Sequence, residues 1–157
     1  MQKIIIADTS CLIVLDKVGL LDLLNKIFGV VVITHQVFEE YGKILPSWVK
    51  IEEPNTANPI QKILETTLDK GEASSIALAM GYENPLLIMD ELKGRKLAKS
   101  LGLHVTGTLG VLIIAKSMNL IPAIKPILER IKSTNFRISP ELEELILVKC
   151  KEINYPK

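Results

Sequence analysis

The sequence predicts an α/β fold: a central parallel sheet of four to five strands with helices on both faces. Two observations predict it. Short, continuous apolar runs such as Lys3-Ile-Ile-Ile-Ala7 and Leu86-Leu-Ile-Met89 read as strands covered on both sides. Between such runs stand stretches with helical apolar spacing, and a strand–helix–strand order implies right-handed crossovers between parallel neighbours. A third observation agrees: the 157 residues are 48% hydrophobic but only 4% aromatic, which suits an Ile/Leu/Val/Ala core layered between sheet and helices.

The elements follow in order. Lys3–Ala7 is the first strand. From Leu12 to Phe28 the apolar positions recur at helical spacing, and Gly19 divides the stretch in two. Gly29–Ile33 is the second strand, and His35–Leu45 the next helix, closed by Pro46. Val49–Glu53 reads as a short edge strand followed by a loop, Pro54–Pro59. Helices are expected over Ile60–Leu68 and from Asp69 through Met80. Leu86–Met89 is a strand, Lys93–Leu101 a helix, and Leu103–Val105 a short strand. Thr108–Met118 is a strongly apolar helix, expected to be well buried. Pro122–Ser133 is another helix, and Phe136–Ile138 a small edge strand. Ser139-Pro-Glu starts the last helix, with Ser as N-cap, Pro in the first turn and Glu near the positive end of the dipole. One domain over 1–157 is expected, with its motif-bearing core at about 3–132 and a helical extension at about 133–157.

The totals exclude several classes. No apolar run approaches a membrane span, and the first residues lack a signal-peptide layout, so a cytoplasmic protein is expected. Cys11 and Cys150 stand far apart and outside any zinc or CxxC spacing, and read as packed thiols. The net charge of +1 gives no global basic field. Locally, Lys93, Arg95, Lys96 and Lys99 form a basic cluster and Glu141, Glu143 and Glu144 an acidic one, each also readable as a solvated helix face.

The chemistry lies in the acids. Asp8 follows the first strand directly, and Asp90 follows Leu86–Met89. In a parallel sheet all strands finish at one edge, so both carboxylates emerge there. Helix capping explains either alone; two strand ends agreeing favours a site. Glu40 lies beside an inward stripe made by Val37 and Tyr41, whereas Glu39 sits about a hundred degrees further round and points to solvent. Glu72 opens a helix, where dipole complementation is its simpler explanation. Four acids in one crevice raise one another's pKa unless something positive belongs there. All-oxygen ligands suit Mg²⁺ or Mn²⁺, and such ions serve phosphoryl chemistry. Ser10 could steer an acid, water or a phosphate. Arg95, with Lys96 and Lys99 behind it, is a candidate phosphate contact. Thr106-Gly-Thr108 opens a helix at the same edge, where amides and hydroxyls could meet an anion. His35 and His104 carry no triad order, and Gly107-Thr-Leu-Gly110 lacks a nucleotide-loop frame.

Asp8-Thr-Ser10 after a strand, Val37-Phe-Glu-Glu40, Gly71-Glu-Ala73 and Asp90 after a strand together resemble the PIN-domain nucleases. The stretches GEASSIALAM, MDELKGRKLA and VTGTLGVLIIAK are similar to a stand-alone prokaryotic branch near the VapC-like toxin ribonucleases. The matches run from about Ile4 to Ile131. The resemblance implies a three-layer α/β/α sandwich, metal-binding acids at Asp8, Glu40, Glu72 and Asp90, and a supporting hydroxyl at Ser10. Glu72 is a longer-armed variant of a position that is often Asp, Glu91 stands where the branch often has a second acid, and Glu39 remains the rival of Glu40. The implied reaction is Mg²⁺- or Mn²⁺-dependent hydrolysis of RNA, leaving a 5′-phosphate and a 3′-hydroxyl. The resemblance also implies a homodimer and, for a toxin, a small antitoxin protein; RNA processing is the other biological setting. Two readings compete: an aspartyl-phosphate phosphatase, which needs a second Asp where Ser10 stands, and a catalytically silent α/β module binding a nucleotide or a partner.

Overall fold

In the computed structural model, which describes residues 3–154, five parallel strands form one sheet. They are β1 (Ile5–Ala7), β2 (Val31–Ile33), β3 (Val49–Ile51), β4 (Leu86–Ile88) and β5 (His104–Thr106), in the order β3-β2-β1-β4-β5. The first three strands wind outward in one direction and the last two in the other. The order therefore reverses between β1 and β4, which pair Ile5 with Leu86, Ile6 with Leu87 and Ala7 with Ile88. In an open α/β sheet, the crevice beyond the carboxyl ends at such a reversal is where ligands bind.

Strand side chains alternate between two cores. Ile5, Ala7, Val31, Ile33, Val49 and Ile88 face α1 (Thr9–Lys17), α2 (Asp22–Phe28), α7 (Thr108–Ser117), α8 (Lys125–Lys132) and α9 (Pro140–Lys149). Ile6, Val32, Leu87 and Met89 face α4 (Ile60–Leu64), α5 (Lys70–Met80) and α6 (Leu92–Ser100). The remaining helix, α3 (His35–Tyr41), presents Val37 and Tyr41 to the first core. The result is the expected three-layer sandwich. No helix among the described residues is long and apolar enough to cross a membrane.

Helix α5 is buried from Gly71 through Ala79. Its small Gly, Ala and Ser residues let α3, α4, β1 and β4 approach it closely. Thr34 ties α3 to it: the Thr34 hydroxyl accepts from the Val37 amide at 3.2 Å and lies 2.7 Å from the Ser74 hydroxyl.

Several boundaries differ from the sequence reading, each for a local reason. The expected helix over His35–Leu45 stops at Gly42, whose φ of 71° is a left-handed C-cap. The Ile60–Leu68 helix ends at Leu64 and continues only as turns. The Pro122–Ser133 helix starts at Lys125, with Pro126 in its first turn. Phe136–Ile138 forms no strand; Phe136 and Ile138 pack against the first core while Arg137 is exposed, so the alternation is real but the ladder is not. Helix α9 starts where Ser139 predicts, its hydroxyl accepting from the Leu142 amide at 3.1 Å, and buries Ile146 and Leu147 in the first core.

The chain beyond α9 is fastened by Glu152. Its carboxylate accepts from the backbone amides of Ile124 at 2.6 Å and Lys125 at 3.1 Å and pairs with Lys116 at 3.3 Å. Burial works against its ionisation, but those two amides and the Lys116 ammonium outweigh it and hold its pKa below the ordinary 4.5. A depressed carboxylate contributes stability that is present above its unfolded pKa and lost as pH falls through the folded one. Glu152→Gln is therefore expected to lower unfolding stability by about 1–3 kcal/mol at pH 7. Denaturant titrations of both proteins should converge as the pH is lowered below the carboxylate range.

Candidate active site

Three consecutive residues leave the end of β1, and each is tied to the site differently. Asp8 continues the β1–β4 ladder, its amide donating to the Ile88 carbonyl at 2.9 Å, and its side chain is buried at the N-cap position of α1 without making a capping bond. Thr9 donates its hydroxyl to Glu40 Oε1 at 2.8 Å. Ser10 donates to Asp90 Oδ2 at 3.2 Å. Successive residues in a first helical turn point about 100° apart. A single turn thus supplies one carboxylate and holds two others, brought in by α3 and by the end of β4.

Asp90 is the most tightly held. Its Oδ1 accepts from the Thr108 amide at 2.7 Å and its Oδ2 from the Thr108 hydroxyl at 2.6 Å. The anion met by the start of α7 is therefore Asp90 itself. Thr108, expected as a substrate contact, is fully buried and turns its amide and hydroxyl to Asp90. Beside it, Arg95 donates from Nη1 to the Met89 carbonyl at 3.1 Å. A Cβ at Gly107 would lie 2.6 Å from Arg95 Nη1 and 2.7 Å from Asp90 Oδ1, so glycine there makes room for both charges.

Glu40 and Glu39 separate cleanly. Glu40, exposed, lies against Gly71, where any Cβ would collide with its carboxylate, and Gln36 Nε2 reaches its second oxygen at 3.5 Å. Glu39 pairs with His35 at 3.0 Å on the outer surface of α3. Glu91 caps α6, accepting from the Gly94 amide at 2.9 Å.

Glu72 sits in the first turn of α5 and is buried, and its Oε2 has no hydrogen-bond partner. A Cβ at Gly94 would come within 3.1 Å of that oxygen. Two further residues complete this side. Asp69 caps α5 by accepting from the Glu72 amide at 2.8 Å, and Ser75 reaches Asp8 Oδ1 at 3.4 Å. The sequence reading singled out neither. Asp69 carries a signal, an Asp three residues before Glu72 at a helix start; Ser75 carries only its place in a small-residue helix.

The electrostatics are one-sided. Burial, aided by Asp69 and Glu40 and opposed by the Thr9 amide and Ser75, raises the Asp8 pKa from 3.8 to about 7. Burial, then Asp69, Asp8 and Glu91, raise that of Glu72 from 4.5 to about 9. Among the described residues none of Asp8, Glu40, Glu72 and Asp90 pairs with a Lys or Arg. Nor do any three acids, His or Cys among them already stand within joint metal-binding reach. The donor set nonetheless fits a hard divalent cation: it is all oxygen, has no ion-paired Lys or Arg among the described residues, and includes a buried carboxylate oxygen with nothing to bind. Cys11 beneath it is fully buried, its thiol pushed up by burial and by Asp90, and serves as packing.

A carboxyl group whose folded pKa exceeds its unfolded one adds stability below the unfolded value, and that contribution is lost as pH rises through the folded one. Without divalent ions, stability should therefore decline from about pH 4 through pH 7–9. Asp8→Asn should flatten this slope and, in EDTA at pH 8, exceed the wild type by on the order of 2–4 kcal/mol. Mg²⁺ or Mn²⁺ should restore stability to the wild type more than to the variant. Thermal denaturation across this pH range checks all three outcomes.

A search among curated proteins finds no match to this chain. A family model described as a PIN domain, DUF3368, matches residues 4–152, a span that takes in all five strands and every acid named above. PIN domains are in general nucleases, hydrolases that typically use divalent metal ions, in keeping with the oxygen-rich crevice at the β1–β4 reversal. The chain belongs to the PIN-domain family.

Proposed function

We propose that this chain is a divalent-metal-dependent endoribonuclease, with Asp8, Glu40, Glu72 and Asp90 as the groups that hold Mg²⁺ or Mn²⁺. The observation that carries the reading is Glu72 Oε2: a buried carboxylate oxygen with no donor, among like charges and without a basic partner. Such an atom is costly in an empty site and useful in a filled one. RNA as substrate rests on the resemblance of GEASSIALAM and MDELKGRKLA to the stand-alone prokaryotic branch.

The chemistry a divalent ion brings to such a site is charge for the phosphoryl oxygens and a lowered pKa for water. The residues do the rest. Thr108 and Ser10 fix Asp90 with three donors, so this carboxylate needs no rearrangement to act. Glu40 is held only by Thr9 and a long contact from Gln36, and can swing with substrate. Asp8 and Glu72 retain protons near neutral pH while no cation is present, so cation uptake releases protons. Arg95, with Nη1 anchored on the Met89 carbonyl, has its remaining N–H groups to offer a phosphate beside the cut.

Wild-type protein with Mn²⁺ is expected to cut single-stranded RNA internally, leaving 5′-phosphate and 3′-hydroxyl ends that gel mobility and end-labelling identify. Asp8→Asn should lose at least about a hundredfold in rate, because replacing an outer partner of a metal ligand alone typically costs about 10–100-fold. Thr108→Val should fall within that smaller range, whereas Glu39→Gln should cut like the wild type. Intact RNA with the wild type, or equal cutting by Asp8→Asn, overturns the reading in favour of a silent binding module.

A further inference from the structure

We propose that the cleft between α7 and the start of α9 is a nucleobase subsite, taking one base of the RNA strand next to the phosphate being cut. The inference rests on the ribonuclease reading and adds to it a place and a chemistry for strand recognition. The cleft, about 380 Å³, begins at Asp90 and Arg95 and runs along Ile113 to Phe136, Arg137 and Leu142. Its volume lies within the range of small-ligand pockets, about 300–1,000 Å³. One end is thus a residue of the acid crevice, and the other is closed by the segment that was expected to be a strand and is not.

The lining chooses the occupant. Its walls are aliphatic, with a single aromatic ring, Phe136, half-buried against the first core. Its two basic groups are guanidiniums: Arg95 anchored on a backbone carbonyl, and Arg137 exposed and, among the described residues, in no ion pair. Aromatic stacking of an unpaired base, with Arg at the adjoining phosphates, is how single-stranded nucleic acid is held. The alternation along Phe136-Arg137-Ile138 sends the ring inward and the charge outward, so one short segment serves both needs. A helix or a second copy docking here would instead have to cover two guanidiniums for which the cleft provides only Asp90 as a nearby acid, itself occupied by Thr108 and Ser10.

The test uses Asp8→Asn protein in EDTA, so that RNA stays intact during the measurement, and oligoribonucleotides carrying 2-aminopurine or an abasic residue at successive positions around the cleavage site mapped with the wild type. At one position the fluorescence should be quenched on binding, and an abasic residue there should weaken binding at least about fivefold. Adding Phe136→Ala should abolish the quench and weaken binding to a similar degree, while Phe136→Tyr retains both. Because Phe136 also packs on the core, Leu142→Glu provides a second variant: Leu142 is 41% exposed, so this change should leave the unfolding temperature in place and still weaken binding. Cleavage by the wild type together with no quench at any position, and unchanged binding by both variants, overturns the subsite and leaves the ribonuclease standing. If Leu142→Glu splits a dimer or releases a bound protein without changing RNA affinity, the cleft is a protein interface and the proposal falls. Wild-type protein that neither binds nor cuts RNA overturns the subsite and the ribonuclease together.

Discussion

The first turn of α1 depends on one constraint, the parallel pairing of β1 with β4 in a fixed register. Ala7 opposite Ile88, with the Asp8 amide on the Ile88 carbonyl, sets where the chain leaves the sheet. From that point Thr9 reaches α3 and Ser10 reaches the end of β4. A slip by one residue would turn Ile6 out of its core and send each of these side chains elsewhere. The alternation of Ile5 and Ala7 into one core and Ile6 into the other makes such a slip expensive, so hydrophobic packing on both faces indirectly fixes the positions of polar atoms at the edge.

The site this creates opposes the stability of its own fold. Asp8 is a buried acid held by the Ser75 hydroxyl and the Thr9 amide in place of a cation, and Glu72 a buried acid whose Oε2 has no partner at all; the two cores around the sheet offset their cost. Glycine does the rest of the accommodation. Gly71 leaves room for the Glu40 carboxylate, Gly94 for Glu72 and Met89, and Gly107 for Asp90 and Arg95. Within helices α5 and α6, a glycine costs roughly 0.5–1 kcal/mol relative to alanine. That two of the three lie inside helices, facing carboxylates, is the pattern expected where local stability is given up for space around charge.

How far the sequence foretells this depends on the range of the interaction. The strands were legible because each is a short apolar run buried on both faces, and the carboxyl edge was legible because Asp8 and Asp90 end two of those runs. Helix phase, with Val37 and Tyr41 buried, is also legible: it puts Glu40 on the side of Thr9 and Glu39 on the outer surface. What could not be read was relational. Nothing in the composition of the Asp8-Thr9-Ser10 stretch says that Thr9 faces α3 and Ser10 faces Asp90, since that depends on sheet order. That the amide and hydroxyl of Thr108 meet the carboxylate of Asp90 is of the same kind, since it depends on which strand ends beside the start of α7. Phe136–Ile138 misled for a similar reason. A period of two marks any extended segment with one side buried, and only the sheet's edge decides whether a partner strand is available.

The contrast between Asp90 and Glu40 gives the crevice a direction. Asp90 has three donors from α1 and α7, whereas Glu40 is exposed and held by the Thr9 hydroxyl and a long contact from Gln36. If the two carboxylates hold a cation as proposed, the preorganised one would set its position and the less restrained one would adjust around it. The rigid side of the crevice is also the side that opens toward Arg95, Phe136 and Leu142. Helix α9 buries Ile146 and Leu147 in the core and places Leu142 at the rim. The C-terminal segment is therefore part of the wall on the side of the more firmly held carboxylate, and under the proposed base subsite it is this segment that would meet the strand.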